Sequence, residues 1–339
     1  MSFTKRILQS SACRLLATAF ICGSFCLQVG TASAAMTFKL SNQLPPNHHI
    51  SAGLRLFAQK VEEHSKGEMK VQVYEAGSLY RDADILKAIR SGSTETGLIP
   101  TNKWSGIMPA IDIFDAPFIF KDLSSLEKFL GEAGPIFDES FSKYGAKLLF
   151  WVDYGWIQFW NSKRPLKTPE DFKGMTLRAY SAGDAETLKA LGAAPTIISS
   201  SELYMSLQRG TIDGTTTGMP AAVSRKVIEV VNNLTIANYA TAQFMVQANG
   251  KWYSSLTQAQ KDVLTEASHE AEQYIRSHVQ KAEDDAEATV AKSGIAIHKV
   301  TDEERALFQK ATESVRQDFL KKSGDLGKKL VDIAAKASM

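Results

Sequence analysis

Arg178 is the side chain in this sequence best suited to hold a small anion. It stands in Leu177-Arg178-Ala179-Tyr180, at the end of a short apolar run that a capped helix introduces. Its guanidinium is a rigid fork of donors that matches a carboxylate with two parallel hydrogen bonds and does not lose its charge. Ligands of open α/β sheets sit beyond the carboxyl ends of the strands, where this arginine falls. A surface or ion-paired arginine would look the same in sequence, so position alone leaves both roles open. Other chemistry finds no motif: there is no Gly-x-Ser-x-Gly, no phosphate-cradling glycine loop and no Gly-x-Gly-x-x-Gly after a strand. Of the six histidines, only His48-His49 are adjacent, and neighbours on a helix point about 100° apart, which suits a solvated helix start better than a metal site. Asp82 and Asp84 beside Arg81 read as acids at a helix N-terminus. No catalytic residue, metal or cofactor is expected.

A scaffold for Arg178 is legible in the alternation of short apolar strands with amphipathic helices, the pattern of an α/β fold. Residues 37–40 predict a first strand and His49–His64 a helix, with Leu54, Phe57, Ala58 and Val61 on one face. Met69–Tyr74 alternates as a strand, and residues 81–91 predict a second helix stopped by Gly92. Residues 111–118 are apolar with Pro117 inside, which reads as a packed loop. Thr168-Pro169-Glu170-Asp171 is a helix start, with an N-cap hydroxyl, proline at the first helical position and acids at the positive dipole end. Strands are expected at 175–180 and 195–198, a helix at 184–191, and a helix capped by Ser200 or Ser201 that runs to Arg209. Residues 86–92 and 204–210 share a helix-glycine-strand plan; two lobes of one design would give that echo, and so would a junction common to α/β proteins.

Residues 257–292 carry Val263, Ala267, Ala271, Tyr274, Ile275, Val279, Ala282, Ala286 and Val290 at helical spacing, with no proline or glycine. A helix of that length is ~54 Å long at about 1.5 Å per residue, while a lobe is only about 30–40 Å across. It should therefore run along both lobes of a two-lobed α/β protein. A dimerising coiled coil is the competing account, but the stripe is alanine-rich and lacks sustained a/d heptads.

The N-terminus reads as a secretory signal peptide over residues 1–34: Lys5, Arg6 and Arg14, then an apolar run over 15–29, then Thr31-Ala32-Ser33-Ala34. The run is short of the ~20 apolar residues a membrane span needs. Cys13, Cys22 and Cys26 all lie inside it, so the processed chain has no thiol for catalysis or zinc. Without the three leader bases, 36 of the 39 Lys and Arg remain against 37 acids, a net charge of −1. No basic stripe survives, so nucleic acid and direct membrane insertion are not expected.

Three blocks carry a family resemblance: residues 168–178, Leu191-Gly192-Ala193-Ala194-Pro195, and residues 201–214 ending in Thr211-Ile212-Asp213-Gly214. They resemble the solute-binding proteins of tripartite ATP-independent periplasmic (TRAP) transporters, of the C4-dicarboxylate-binding type. Residues 67–74, Gly77-Ser78-Leu79 and Asp115-Ala116-Pro117-Phe118 fit the same pattern. The resemblance implies the two-lobed periplasmic binding protein fold with a long spanning helix, a periplasmic location, no enzyme activity, and the membrane subunits of a TRAP transporter as partner. It also implies that Arg178 clamps a ligand carboxylate. Asn42, Thr101, Thr217 and Tyr239 match positions that meet the ligand or line the cleft in relatives; each could equally be packing.

The sialic-acid-binding branch has a second arginine soon after the glycine matching Gly155, where this chain reads Trp156-Ile157-Gln158-Phe159-Trp160. Trp156 and Gln158 become cleft candidates there, and one fixed cation favours a monocarboxylate (a 2-oxo, 2-hydroxy or aromatic acid) over a dicarboxylate. The cluster Trp151, Tyr154, Trp156, Phe159 and Trp160 hints at an apolar ligand body, or at core. Residues 35–153 with about 241–281 are expected to form lobe one, and 154–240 with about 282–339 lobe two. A ligand-sensing protein that docks to a signalling receptor is the alternative to transport.

Overall fold

Strands rich in β-branched and aromatic residues alternate with helices through residues 35–339, which the computed structural model describes. The leader expected over 1–34 lies outside the described residues. In chain order the strands are β1 (Met36–Ser41), β2 (Met69–Tyr74), β3 (Thr96–Pro100), β4 (Ala146–Val152), β5 (Ile157–Asn161), β6 (Thr176–Ala179), β7 (Ala194–Ile197), β8 (Gly214–Gly218), β9 (Asn233–Ile236), β10 (Phe244–Asn249) and β11 (Ala296–Lys299). The helices are α1 (His49–His64), α2 (Ile85–Ser91), α3 (Leu123–Lys143), α4 (Ala182–Ala190), α5 (Leu203–Gln208), α6 (Met219–Ser224), α7 (Gly250–Ser255), α8 (Gln258–Ala291), α9 (Asp302–Ala311) and α10 (Glu313–Ala337).

Two sheets result, ordered β2-β1-β3-β10-β4 and β11-β9-β5-β8-β6-β7. Both sheets are mixed: β10 is antiparallel to β3 and β4, and β5 to β8 and β9, while the other neighbours are parallel. Those exceptions mark where the chain changes sheet, once between Val152 and Ile157 and again between Ile236 and Phe244. Every residue of β3, β5, β8 and β10 is buried, as expected for strands covered on both faces.

The long helix forms almost as the pattern predicts. α8 has 34 residues, about 51 Å of helix, and starts at a Thr257–Gln260 capping box. Its first half packs on α1 and β4, its second on α6 beside the other sheet. Small residues let it lie close: a Cβ on Gly53 of α1 would stand 2.2 Å from Ile275 Cγ1. One rigid element therefore braces both lobes.

Several expectations need correction. The second helix starts at Ile85 and not at residue 81, because the buried Asp82 is turned toward Ser199 and residues 82–84 form a turn. Residues Pro109–Phe114 are a 3-10 helix rather than a plain loop, and so are Pro169–Phe172, which start at the expected Thr168 cap. Neither Ser200 nor Ser201 caps α5, which begins at Leu203; the Ser200 hydroxyl accepts from Arg178 instead. α10, placed in lobe two by sequence, packs on Pro109–Phe114 and α3 of the first lobe. Its apolar face, Phe319, Leu330 and Ile333, completes a cluster around Trp104, Phe114 and Phe137.

Candidate functional site

The two sheets face each other across a cavity with about 420 Å³ of atom-free space, its mouth included. Pro100, Lys103 and Phe244 line it from the first lobe, Ile157, Arg178 and Thr217 from the second.

Arg178 is the third residue of β6, paired between Thr196 of β7 and Thr215 of β8, and only 2% exposed. Its Nε donates to the Ile198 carbonyl (2.9 Å), Nη1 to the Thr216 carbonyl (3.2 Å) and Nη2 to the Ser200 hydroxyl (3.2 Å). A guanidinium has five N–H donors, so two remain after the protein has fixed the fork in place. Among the described residues no carboxylate forms an ion pair with it. Burial pulls its pKa down while Asp184 and Asp82 push it up, and an arginine so placed stays cationic.

Asp184 sits behind this arginine and accepts from the Thr216 and Tyr239 hydroxyls and from the Tyr180 N–H. Burial raises its pKa to about 6. Two further bases line the cavity. Arg225, at the end of α6, donates to the Ser200 carbonyl (3.1 Å) and to the Gln43 carbonyl of the first lobe (3.4 Å). Lys103 lies 3.9 Å from Asp82, and burial lowers its pKa. Burial would raise the pKa of Asp82, but the Ser199 hydroxyl, Lys103 and Arg178 outweigh it and keep this carboxylate ionised.

Polar contacts cross the gap on both sides of the cavity. Ser199 donates to Asp82 at 2.6 Å, and the Tyr180 hydroxyl donates to Asp115 at 3.1 Å. These close the lobes over the cavity. Tyr180→Phe keeps the ring and removes one cross-gap bond worth about 0.5–1.5 kcal/mol. The expected result is a ligand Kd weakened between about two- and tenfold, measured by calorimetry with an acid the parent binds; an unchanged Kd would remove Tyr180 from the closure.

Of the residues singled out in sequence, Arg178 and Thr217 line the cavity, with the Thr217 hydroxyl 3.0 Å from the Tyr154 hydroxyl. The other five point elsewhere. Asn42 bridges the Ser51 hydroxyl and the Leu44 N–H, and Thr101 donates to the Gln243 carbonyl. Gln158 is tied to the second crossover through Ala237 and Asn238, Tyr239 is spent on Asp184, and Trp156 packs with the first-lobe aromatic cluster.

The expectation of one fixed cation is overturned by Arg225 and Lys103. Neither stands in a motif that the sequence singles out, and only the fold turns them inward. Of the expected aromatic cluster, Tyr154 alone lines the cavity. Trp151 packs on Phe114 and Phe137, Phe159 stacks on Tyr239 and Trp160 is fully buried, while Tyr154, Tyr180 and Phe244 face the cavity.

Two α/β lobes joined by two crossovers, braced by one helix and facing each other over buried cations, define a two-lobed ligand-binding protein. The chain belongs to the bacterial extracellular solute-binding proteins of family 7, whose sequence model matches residues 40–323. It is 29% identical over 310 residues to the C4-dicarboxylate-binding periplasmic protein DctP of Rhodobacter capsulatus, covering 89% of this chain and 91% of that one. It is 27% identical over 293 residues to the 2,3-diketo-L-gulonate-binding periplasmic protein YiaO of Escherichia coli K12, covering 86% and 88%. A TRAP periplasmic solute-binding protein of Sulfurospirillum deleyianum with bound succinate superposes with a TM-score of 0.83 at 30% identity, over 88% of this chain and 99% of that one. These are transport proteins and not enzymes, so the TRAP resemblance, the two-lobed α/β fold and the non-enzymatic class expected from sequence are all met. No helix among the described residues is long and apolar enough to cross a membrane.

Proposed function

We propose that this chain is the periplasmic receptor of a TRAP-type secondary transporter, capturing a small organic acid between its lobes and presenting the closed complex to the membrane subunits. One observation carries the reading: Arg178 is buried in the gap, its fork is held by three protein bonds, and it has donors left with no ion-paired carboxylate among the described residues. Relatives named for C4-dicarboxylates and 2,3-diketo-L-gulonate, and a similar structure holding succinate, support the class of ligand. The preference for a monocarboxylate rested on a single base, and with Arg225 and Lys103 in the lining that ground is gone. The reading adopted is an acid with one carboxylate on Arg178 and its carbon body against Ile157, Ala242 and Phe244. Residues 1–34 act as a cleaved leader that sends the chain to the periplasm.

A thermal-shift panel of mono-, di- and sugar acids on periplasmically expressed protein tests this. A ligand at a hundred times its Kd stabilises the folded state by about 2.7 kcal/mol, so at least one acid should raise the unfolding midpoint clearly, and neutral analogues should not. The intact mass should begin at residue 35 or 36. A panel in which no carboxylate stabilises the protein would sink the reading.

A further inference from the structure

We propose that capture is coupled to a proton: closing the lobes over an organic anion draws one proton from solution, and Asp115, at the seam between the lobes, holds it. The coupling rests on the organic-acid capture proposed above and adds a second bound species to it.

Asp115 follows the 3-10 helix Pro109–Phe114 of the first lobe and is only 2% exposed. Both lobes bury it. The Tyr180 hydroxyl of the second lobe donates to Oδ1 at 3.1 Å. The first turn of α4 lies against the rest of the side chain: a Cβ on Gly183 would stand 3.0 Å from Asp115 Cβ and 3.3 Å from Oδ2. Oδ2 is buried there without a hydrogen-bond partner. Opening the gap carries Tyr180 and Gly183 away and returns the carboxylate to water.

A carboxylate sealed in this way is stable as an anion only with a cation beside it, and among the described residues none pairs with Asp115. The charged and titratable groups around it are mostly acids. Asp112 stands on its own turn, Tyr180, Asp184 and Glu186 come from the second lobe, and Asp318 and Lys322 from α10. Lys322 acts on Asp112, and Lys103, which also reaches Asp115, lies 3.9 Å from Asp82. Burial, Asp112 and Asp184 push the Asp115 pKa up to about 8, against the pull of the Ser181 and Tyr180 hydroxyls. The other raised acids nearby are set within one lobe. Asp184 is held by Thr216, Tyr239 and the Tyr180 N–H, and Asp112 by Ser105 and Lys322. Asp82 does meet the opposite lobe, but it stays ionised. Asp115 is therefore the acid whose proton depends on closure.

Exposed to water, an aspartate ionises near 3.8, and in the closed protein Asp115 does so at about 8. Its contribution to affinity is thus full below about pH 4, falls through neutrality and is gone above about pH 8. At pH 7.5 closure should bind about 0.8 of a proton per ligand, and between pH 7 and 8 Kd should weaken about fivefold. Calorimetry at pH 7.5 in phosphate, HEPES and Tris tests this, with the carboxylate that stabilises the parent most in the panel above and is fully ionised at that pH. The slope of binding enthalpy against buffer ionisation enthalpy counts the protons taken up. Asp115→Asn keeps the acceptor for Tyr180 but cannot ionise, so uptake should fall to about 0.2 or less and the change in Kd to less than about twofold. Asp115→Ser takes its place if the asparagine variant does not fold. Uptake below about 0.3 of a proton in the parent overturns the coupling without any variant. Uptake that persists in a folded variant overturns the role of Asp115. If no carboxylate binds at all, organic-acid capture itself fails and the coupling falls with it.

Discussion

Arg178→Ala is expected to weaken acid binding by more than tenfold. The fork offers its two remaining N–H groups to a carboxylate in a closed gap, and charge-assisted bonds of that kind are worth about 1.5–3 kcal/mol each. Loss of a single bond at the lower bound already costs roughly a factor of ten. Part of the strength comes from the protein side: because Ile198, Thr216 and Ser200 hold the guanidinium, little ordering remains to be done when the ligand arrives. Arg178→Lys separates charge from geometry. A lysine keeps the positive charge but not the planar fork or its hold on two backbone carbonyls, so it should recover only part of the lost affinity. Calorimetry with an acid bound by the parent measures both, and a Kd within threefold of the parent in folded Arg178→Ala would remove the clamp.

The features of this site that depend on local spacing were legible in sequence, and those that depend on the fold were not. Arg178 was placed at a strand end because a capped turn, a short strand and a following helix all announce themselves within about two dozen residues, and its clamping role came from the family resemblance. α8 was found because its period runs unbroken, and its length alone required two lobes. Arg225 follows Ala221-Ala222-Val223-Ser224, a stretch with nothing to distinguish it from a solvated helix end. It enters the cavity only because α6 ends against the Gln43 loop of the other lobe. Asn42 and Gln158 failed in the opposite way. Amides near strand ends have the right chemistry for a ligand, but here they fasten turns and a crossover, a use that needs partners far away in sequence. α10 was placed in the wrong lobe for the same reason, since an amphipathic helix shows that it has a partner face but not which face it is.

Glu283→Gln is expected to make the protein more stable than its parent above neutral pH, by a few kcal/mol, and to change little near pH 5. Glu283 lies on α8, 4% exposed, with Oε1 accepting from the Trp156 N–H at 3.0 Å and Oε2 without a partner. The first crossover makes room for it at Gly155, whose φ is +100° and where a Cβ would stand 2.0 Å from Oε1. Burial pushes its pKa up to about 8; the Trp156 N–H pulls it down, and Asp284 and Glu287 push it further up. In the unfolded chain the same group ionises near 4.5. Across that window the folded chain binds the extra proton, so stability is full below about pH 4.5, falls as pH rises and levels off above about 8. Asp115, pushed up to about 8 by burial, adds a slope of the same sign. Every tenfold gain in proton affinity on folding is worth about 1.4 kcal/mol, so the combined loss is on the order of several kcal/mol. Glutamine keeps the volume and the acceptor for Trp156 but cannot ionise, so the variant retains only the slope from Asp115 and the other raised acids. Urea unfolding at pH 5, 7 and 8.5 reads the difference; parallel pH profiles for parent and variant would show that Glu283 does not carry it. Trp156 lies two residues from Tyr154, which lines the cavity, so the pinning of this crossover by a protonated side chain of the spanning helix also holds one wall of the binding site in place.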